Sequence, residues 1–135
     1  MASDTIVVIE QIPVMYVAGK QGEHIADQAP VAFAQLEAKL TSLKGRKFYG
    51  VIIGDEYRAC VGIGLNTLAS SLPYPTWTIP GGRYLRCKIP DWEENLHLIS
   101  QTFDELCQRP DYDSSRPCIE YYRSQKELLL MVPVE

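Results

Sequence analysis

Apolar positions along this chain change their spacing several times, and each change marks an element. Ile6 to Gly19 is dense in Val and Ile and reads as a strand. Ile25, Ala29, Ala32, Leu36 and Leu40 then recur at three- and four-residue steps, the signature of one helical face. Pro30 is tolerated in a first helical turn and Gly45 is a stop signal, which places this helix from about Pro30 to Leu43. Phe48 to Ile53 and Arg58 to Gly64 follow as strands around Gly54-Asp55-Glu56-Tyr57, a hairpin pattern.

The same order returns in the second half. Thr76 to Ile89 reads as a strand. Asp91 followed by Glu94 is a capping-box pattern, so a helix is expected from there to about Cys107, with Pro110 beyond its end. Pro117 to Arg123 and Glu127 to Val132 form a second hairpin. Sliding the chain by 67 residues lays Ile12-Pro13 on Ile79-Pro80 and the first helical apolar set on Trp92, Leu96, Ile99, Phe103 and Cys107. The reading is one α+β domain over residues 1–135, built from two strand-helix-strand-strand repeats at about 5–64 and 76–134. The Ser- and Pro-containing stretch 65–75, with Asn66, Ser70, Ser71, Pro73 and Pro75, is the connector. Both helices are expected on one side of antiparallel strands. The uncovered strand faces are expected to meet about a pseudo-two-fold axis, with a ligand cleft between the halves.

Composition narrows the function. A net charge of −4 gives no basic footprint for nucleic acid. The longest apolar run, Leu128 to Val134, is too short to span a bilayer, and no secretory leader is visible, so a cytoplasmic protein is expected. Cys60, Cys87, Cys107 and Cys118 lack CxxC spacing, and His24 and His97 complete no metal signature. Four reduced, mostly buried thiols are expected, with no metal and no cofactor.

Several segments together resemble the GyrI-like, or AraC-type effector-binding, family of small-molecule-binding domains. They are Tyr57-Arg58-Ala59-Cys60-Val61-Gly62-Ile63, Thr78-Ile79-Pro80-Gly81-Gly82-Arg83-Tyr84, Pro117-Cys118-Ile119-Glu120-Tyr121-Tyr122 and Leu130-Met131-Val132-Pro133-Val134. The resemblance implies duplicated β-α-β-β modules and capture of an amphipathic, cationic or aromatic small molecule. Family members are often fused to a DNA-binding domain. No such domain is expected within these 135 residues, so a regulatory role would need a separate DNA-binding chain.

Glu120 is the sharpest candidate. A period of two puts it on one strand face with Cys118 and Tyr122. Sequence alone leaves a solvent-facing glutamate open, and the resemblance implies a cleft acid. Eight tyrosines and two tryptophans against three phenylalanines supply flat faces with polar handles. Tyr16, Tyr49, Trp77, Tyr84 and Tyr122 are the candidate ligand-binding aromatics, since such faces attract cations. Ordinary packing stays open for each of them. Trp92 and Phe103 read as core, and His24 as a residue at the cleft mouth or simply on the surface. Pro80-Gly81-Gly82 reads as a bulge or close backbone approach rather than a phosphate loop.

Two other functions remain open. One is hydrolysis of strained electrophiles, with Glu120 as acid/base and Tyr84 or Tyr122 assisting. The other is inhibition of a protein partner through an acidic surface. Exposed edge strands leave a homodimer open.

Overall fold

The computed structural model describes residues 4–20, 22, 24–40, 42, 44–64 and 69–135. Eight strands form one antiparallel, curled sheet, and two helices pack on one of its faces. The strands are β1 (Thr5–Ile9), β2 (Ile12–Ala18), β3 (Phe48–Ile53), β4 (Glu56–Gly62), β5 (Thr76–Ile79), β6 (Gly82–Pro90), β7 (Cys118–Tyr122) and β8 (Glu127–Pro133). The helices are α1 (Ile25–Ala38) and α2 (Leu96–Leu106). Along the sheet the order is β1-β6-β8-β7-β3-β4-β2-β5. The two hairpins therefore meet at the centre, where β3 pairs with β7 and Gly50 lies opposite Glu120.

Each expected first strand is two strands. β1 and β2 are separated only by Glu10 and Gln11, yet β1 pairs with β6 at one edge while β2 pairs with β4 and β5 near the other. The link between β5 and β6 makes the opposite journey, and the two links cross. A Cβ on Gly81 would lie 2.7 Å from the Gln11 nitrogen and the Ile9 oxygen, so the crossing admits only glycine. The expected close backbone approach at Gly81 is found here. It lies on the sheet face away from the helices.

Period two sorts the side chains. Met15, Val17, Phe48, Ile52, Tyr57, Ala59 and Val61 face α1, which covers them with Ala32, Phe33 and Leu36. Leu85, Cys87, Ile89, Leu128, Leu130 and Val132 face α2, which adds Phe103 and Leu106. The other face curls inward around Val14, Tyr49, Val51, Ile79, Tyr84, Ile119 and Met131. A curled sheet thus buries one face in itself and needs helices only for the other. The halves join edge to edge into one sheet, so their uncovered faces meet through the curl of that sheet and not as two stacked layers.

At the central pair the 67-residue register exchanges faces. β3 presents Phe48, Gly50 and Ile52 to the helices, and β7 presents Cys118, Glu120 and Tyr122. An odd offset would exchange the two faces of these strands.

Helix boundaries differ for local reasons. α1 begins at Ile25 and carries Pro30 in its interior, at the cost of one helical hydrogen bond. It ends at Ala38, before Gly45, and Leu43 lies outside the described residues. Asp91 does not cap a helix with its side chain. It adopts left-handed backbone geometry (φ 49°) and starts a single 3-10 turn, Trp92–Glu94. α2 then starts after Asn95, so Trp92 stands outside it. Of the connector, residues 65–68 lie outside the described set, and Ala69–Ser71 is a 3-10 turn. Among the described residues no helix is long and apolar enough to cross a membrane.

Candidate functional site

Between α1 and α2, over the central β3–β7 pair, lies a cavity of about 560 Å³. That is within the range of small-molecule sites. Its floor comes from β3, β4 and β7 through Phe48, Ile52, Tyr57, Glu120 and Tyr122. Its walls come from Phe33 and Glu37 on α1, and Ile99 and Phe103 on α2. Trp92 closes one side and His24 stands before α1. Both halves of the chain therefore contribute.

Glu120 is 6% exposed. The Tyr57 hydroxyl donates to Glu120 Oε1 at 2.6 Å and the Tyr122 hydroxyl donates to the same oxygen at 2.7 Å. The two hydroxyl oxygens are 3.3 Å apart. Both phenols are thus committed to Oε1. Burial pushes the Glu120 carboxyl above its usual range, against the lowering effect of the two phenol hydrogen bonds. Burial, and then the Glu120 charge, raise Tyr57 and Tyr122 as well, so both stay protonated as donors. No Lys or Arg is among the described residues that line the cavity. The acid has no counter-cation there.

Gly50 makes this arrangement possible. A Cβ on Gly50 would run into the Tyr57 hydroxyl and Glu120 Oε1 and would lie 2.7 Å from Tyr57 Cζ. Only a residue without a side chain lets a phenol from β4 reach across β3 to a carboxyl on β7. Gln28 fixes α1 above it. This 1%-exposed amide donates to the Asp55 oxygen at 3.1 Å and accepts from the Tyr57 amide at 3.2 Å.

The aromatic lining is held edge to face. Phe33 meets Tyr122 at 5.3 Å and Tyr57 at 6.1 Å between ring centroids, and Trp92 meets Tyr122 at 5.1 Å. The Trp92 indole donates to the Ser124 oxygen at 3.0 Å, which fixes its face toward the cavity side.

The structure brings together two of the six sequence candidates, Glu120 and Tyr122. Tyr16, Tyr49, Trp77 and Tyr84 lie on the inward-curled face and do not line this cavity. Tyr49 stacks on Tyr121 at 5.1 Å. The Tyr84 hydroxyl donates to the Pro80 oxygen at 2.6 Å. Tyr16 and Trp77 hold the Arg58 guanidinium at 4.4 and 4.7 Å from their ring centroids. Trp92 and Phe103, read as core, do pack in the α2 cluster and line the cavity as well. His24 is on the lining too. Sequence reasoning misses Tyr57 and Gly50 as site residues, because their partner Glu120 is 63 and 70 positions away and no local pattern marks the pairing.

No protein-family model and no curated protein matches the chain. Solved structures do share its fold. An integron cassette protein from the mobile metagenome of Vibrio cholerae is 14% identical, with a TM-score of 0.72 over 98% of this chain and 96% of that one. A protein solved with tetraphenylphosphonium bound is 13% identical, with a TM-score of 0.63 over 98% and 94%. A hydrolase from Listeria innocua is 13% identical, with a TM-score of 0.55 over 98% and 92%.

Proposed function

We propose that this protein reversibly binds a lipophilic organic cation in the cavity between α1 and α2. Glu120 serves as the counter-charge, and Phe33, Tyr57, Trp92 and Tyr122 supply the aromatic wall. The observation that carries this reading is the buried carboxyl, held by two phenols on one oxygen, in an aromatic cavity whose described lining has no Lys or Arg. A delocalised cation has little hydration to lose on entry, and aromatic faces attract it. The fold shared with a protein that carries tetraphenylphosphonium supports the same ligand class. So does the resemblance of the chain to effector-binding domains of the GyrI-like type.

The same reading takes the chain as one domain of two copied β-α-β-β modules. Exchange of β1–β4 with β5–β8 reverses the sheet order and leaves it otherwise unchanged, as a two-fold axis between β3 and β7 requires. The matching offset for the helices and central strands is 70: Phe33 with Phe103, Leu36 with Leu106, Gly50 with Glu120. The acid therefore stands where its counterpart is a glycine, and one site serves both halves.

The test is calorimetric titration of tetraphenylphosphonium into the wild-type chain and Glu120→Gln. Gln keeps an oxygen for both phenols and loses the charge. A loss of about tenfold to one-hundredfold in affinity is expected, from roughly 1.5–3 kcal/mol for a charged buried partner. Equal affinities would remove Glu120 from the site.

An acid flanked by two phenols also suits general-acid chemistry. In that reading Tyr57 and Tyr122 assist Glu120, and Tyr84 has no part, since it is on the opposite face. Conversion of a strained electrophile by the wild type and not by Glu120→Gln would move the assignment from binding to hydrolysis.

A further inference from the structure

We infer that Cys107 and Cys118 are a redox-active thiol pair that closes into a disulfide joining the end of α2 to β7. Their sulfurs are 3.8 Å apart, across an 11-residue separation in sequence. A disulfide needs about 2.05 Å, so closure asks for a shift of under about 2 Å, within the reach of side-chain rotation and a small helix movement. Cys107 directly follows α2, where its backbone N–H bonds the Phe103 oxygen, and it is partly exposed. Cys118 opens β7 and is buried. The other two cysteines are set apart from this arrangement. Cys60 is on the inward face and its thiol reaches only the Arg58 oxygen. Cys87 is buried on β6.

The order of steps follows from exposure. The Cys107 thiolate attacks one sulfur of a small disulfide such as oxidised glutathione, forms a mixed disulfide and expels one glutathione thiolate. Cys118 then loses its proton and attacks Cys107 Sγ. The second glutathione leaves with the bonding pair. The protein gives up two protons and two electrons, and the oxidant is reduced to two thiols. Burial pushes the Cys118 thiol up to about 12, so the second step is the slow one.

The position gives the bond a structural consequence. Cys118 shares its strand face with Glu120, two residues on, and Phe103 is one turn before Cys107. The link therefore ties a wall of the cavity to its floor. This inference stands on the sulfur contact and not on the identity of any ligand.

The full chain is incubated with oxidised glutathione, free thiols are counted after denaturation, and peptides are mapped by mass. Expected is a fall from four free thiols to two, a crosslinked peptide pair holding Cys107 and Cys118, and recovery on reduction. Cys118→Ser should instead trap glutathione on Cys107, and Cys107→Ser should keep three free thiols. Alanine versions of both, checked for an unchanged melting curve, repeat the test should serine disturb folding. Amide hydrogen exchange at the end of α2 should slow on oxidation. A wild-type chain that accumulates the glutathione adduct without a crosslink overturns the pair. So does thiol loss that persists in both single variants. Unchanged exchange after crosslinking overturns the coupling of wall to floor.

Discussion

The two faces of the sheet carry two aromatic assemblies around a charge, and they are opposites. On the inward face, Tyr16 and Trp77 enclose Arg58, which also pairs with Glu56, while Arg116 lies 5.0 Å from the Tyr84 ring centroid. Those rings already have their cations, and the chain itself supplies them. On the helix face, Phe33, Tyr57, Trp92 and Tyr122 surround Glu120, and the described lining offers no Lys or Arg. One assembly holds a cation of the chain's own, and the other holds a buried carboxyl with no Lys or Arg on its described lining. An aromatic cluster with its own guanidinium stabilises the fold, whereas one around a lone buried carboxyl is suited to a ligand.

The sharpest way to break this contrast is to change the charge at Glu120 and vary pH. Burial raises the folded-state pKa above the unfolded value of about 4.3, so the fold holds its proton where the unfolded chain has released it. The stability from burying the neutral acid is complete below the unfolded pKa and is lost as pH rises through the folded one. Urea titrations should show wild-type stability falling across that window relative to Glu120→Gln, whose profile should be flatter. Affinity for tetraphenylphosphonium should move the other way, rising as Glu120 ionises, and should stay level in the variant. A wild-type affinity that does not depend on pH would undo the counter-charge role.

Gly50→Ala should come next in size. The methyl group cannot coexist with the Tyr57–Glu120 contact, so about 1–3 kcal/mol of stability should be lost in thermal or urea unfolding, together with cation affinity. Normal affinity in a folded Gly50→Ala would mean that the phenol bridge does not set the carboxyl.

Arg58→Met separates the two assemblies. It removes the cation from between Tyr16 and Trp77 and should cost about 0.5–2 kcal/mol of stability, while the Kd for the cation stays within error of wild type. A weakened Kd would show that the inward face takes part in binding.

Glu37→Gln should give the smallest effect. Glu37 is an exposed acid on the cavity lining, and exposed pairs are worth about 0–1 kcal/mol, so affinity should fall less than about fivefold and the loss should vanish in high salt. A loss matching that of Glu120→Gln would relocate the main counter-charge to the rim.

Much of the fold was legible because its signals are local. Both hairpins and both helices exist where period two or period 3.6 is sustained. The alternation through Cys118, Glu120 and Tyr122 by itself puts acid and phenol on one face. Two strands separated by only two residues, Ile9 to Ile12 and Ile79 to Gly82, read as one, because so short a break does not show that the chain changes its partner strand. Asp91 and Glu94 have the right spacing for a cap, yet the backbone at Asp91 turns left-handed and the helix waits for Asn95. Tyr16, Tyr49, Trp77 and Tyr84 have the right chemistry, but which face of a strand looks toward the helices depends on register and not on residue type.

The sequence by itself determined which segments could be strand or helix, and that an acid and a tyrosine share a strand face. Periodicity is read within one segment, so it carries that much. Tertiary structure alone decided that β3 pairs with β7, that Gly50 leaves space opposite Glu120, and that Tyr57 crosses that space to join Tyr122 on one carboxyl oxygen. Those contacts join residues 63 to 74 positions apart. Only sheet register, locked by burial on two faces at once, chooses among the pairings that local pattern permits.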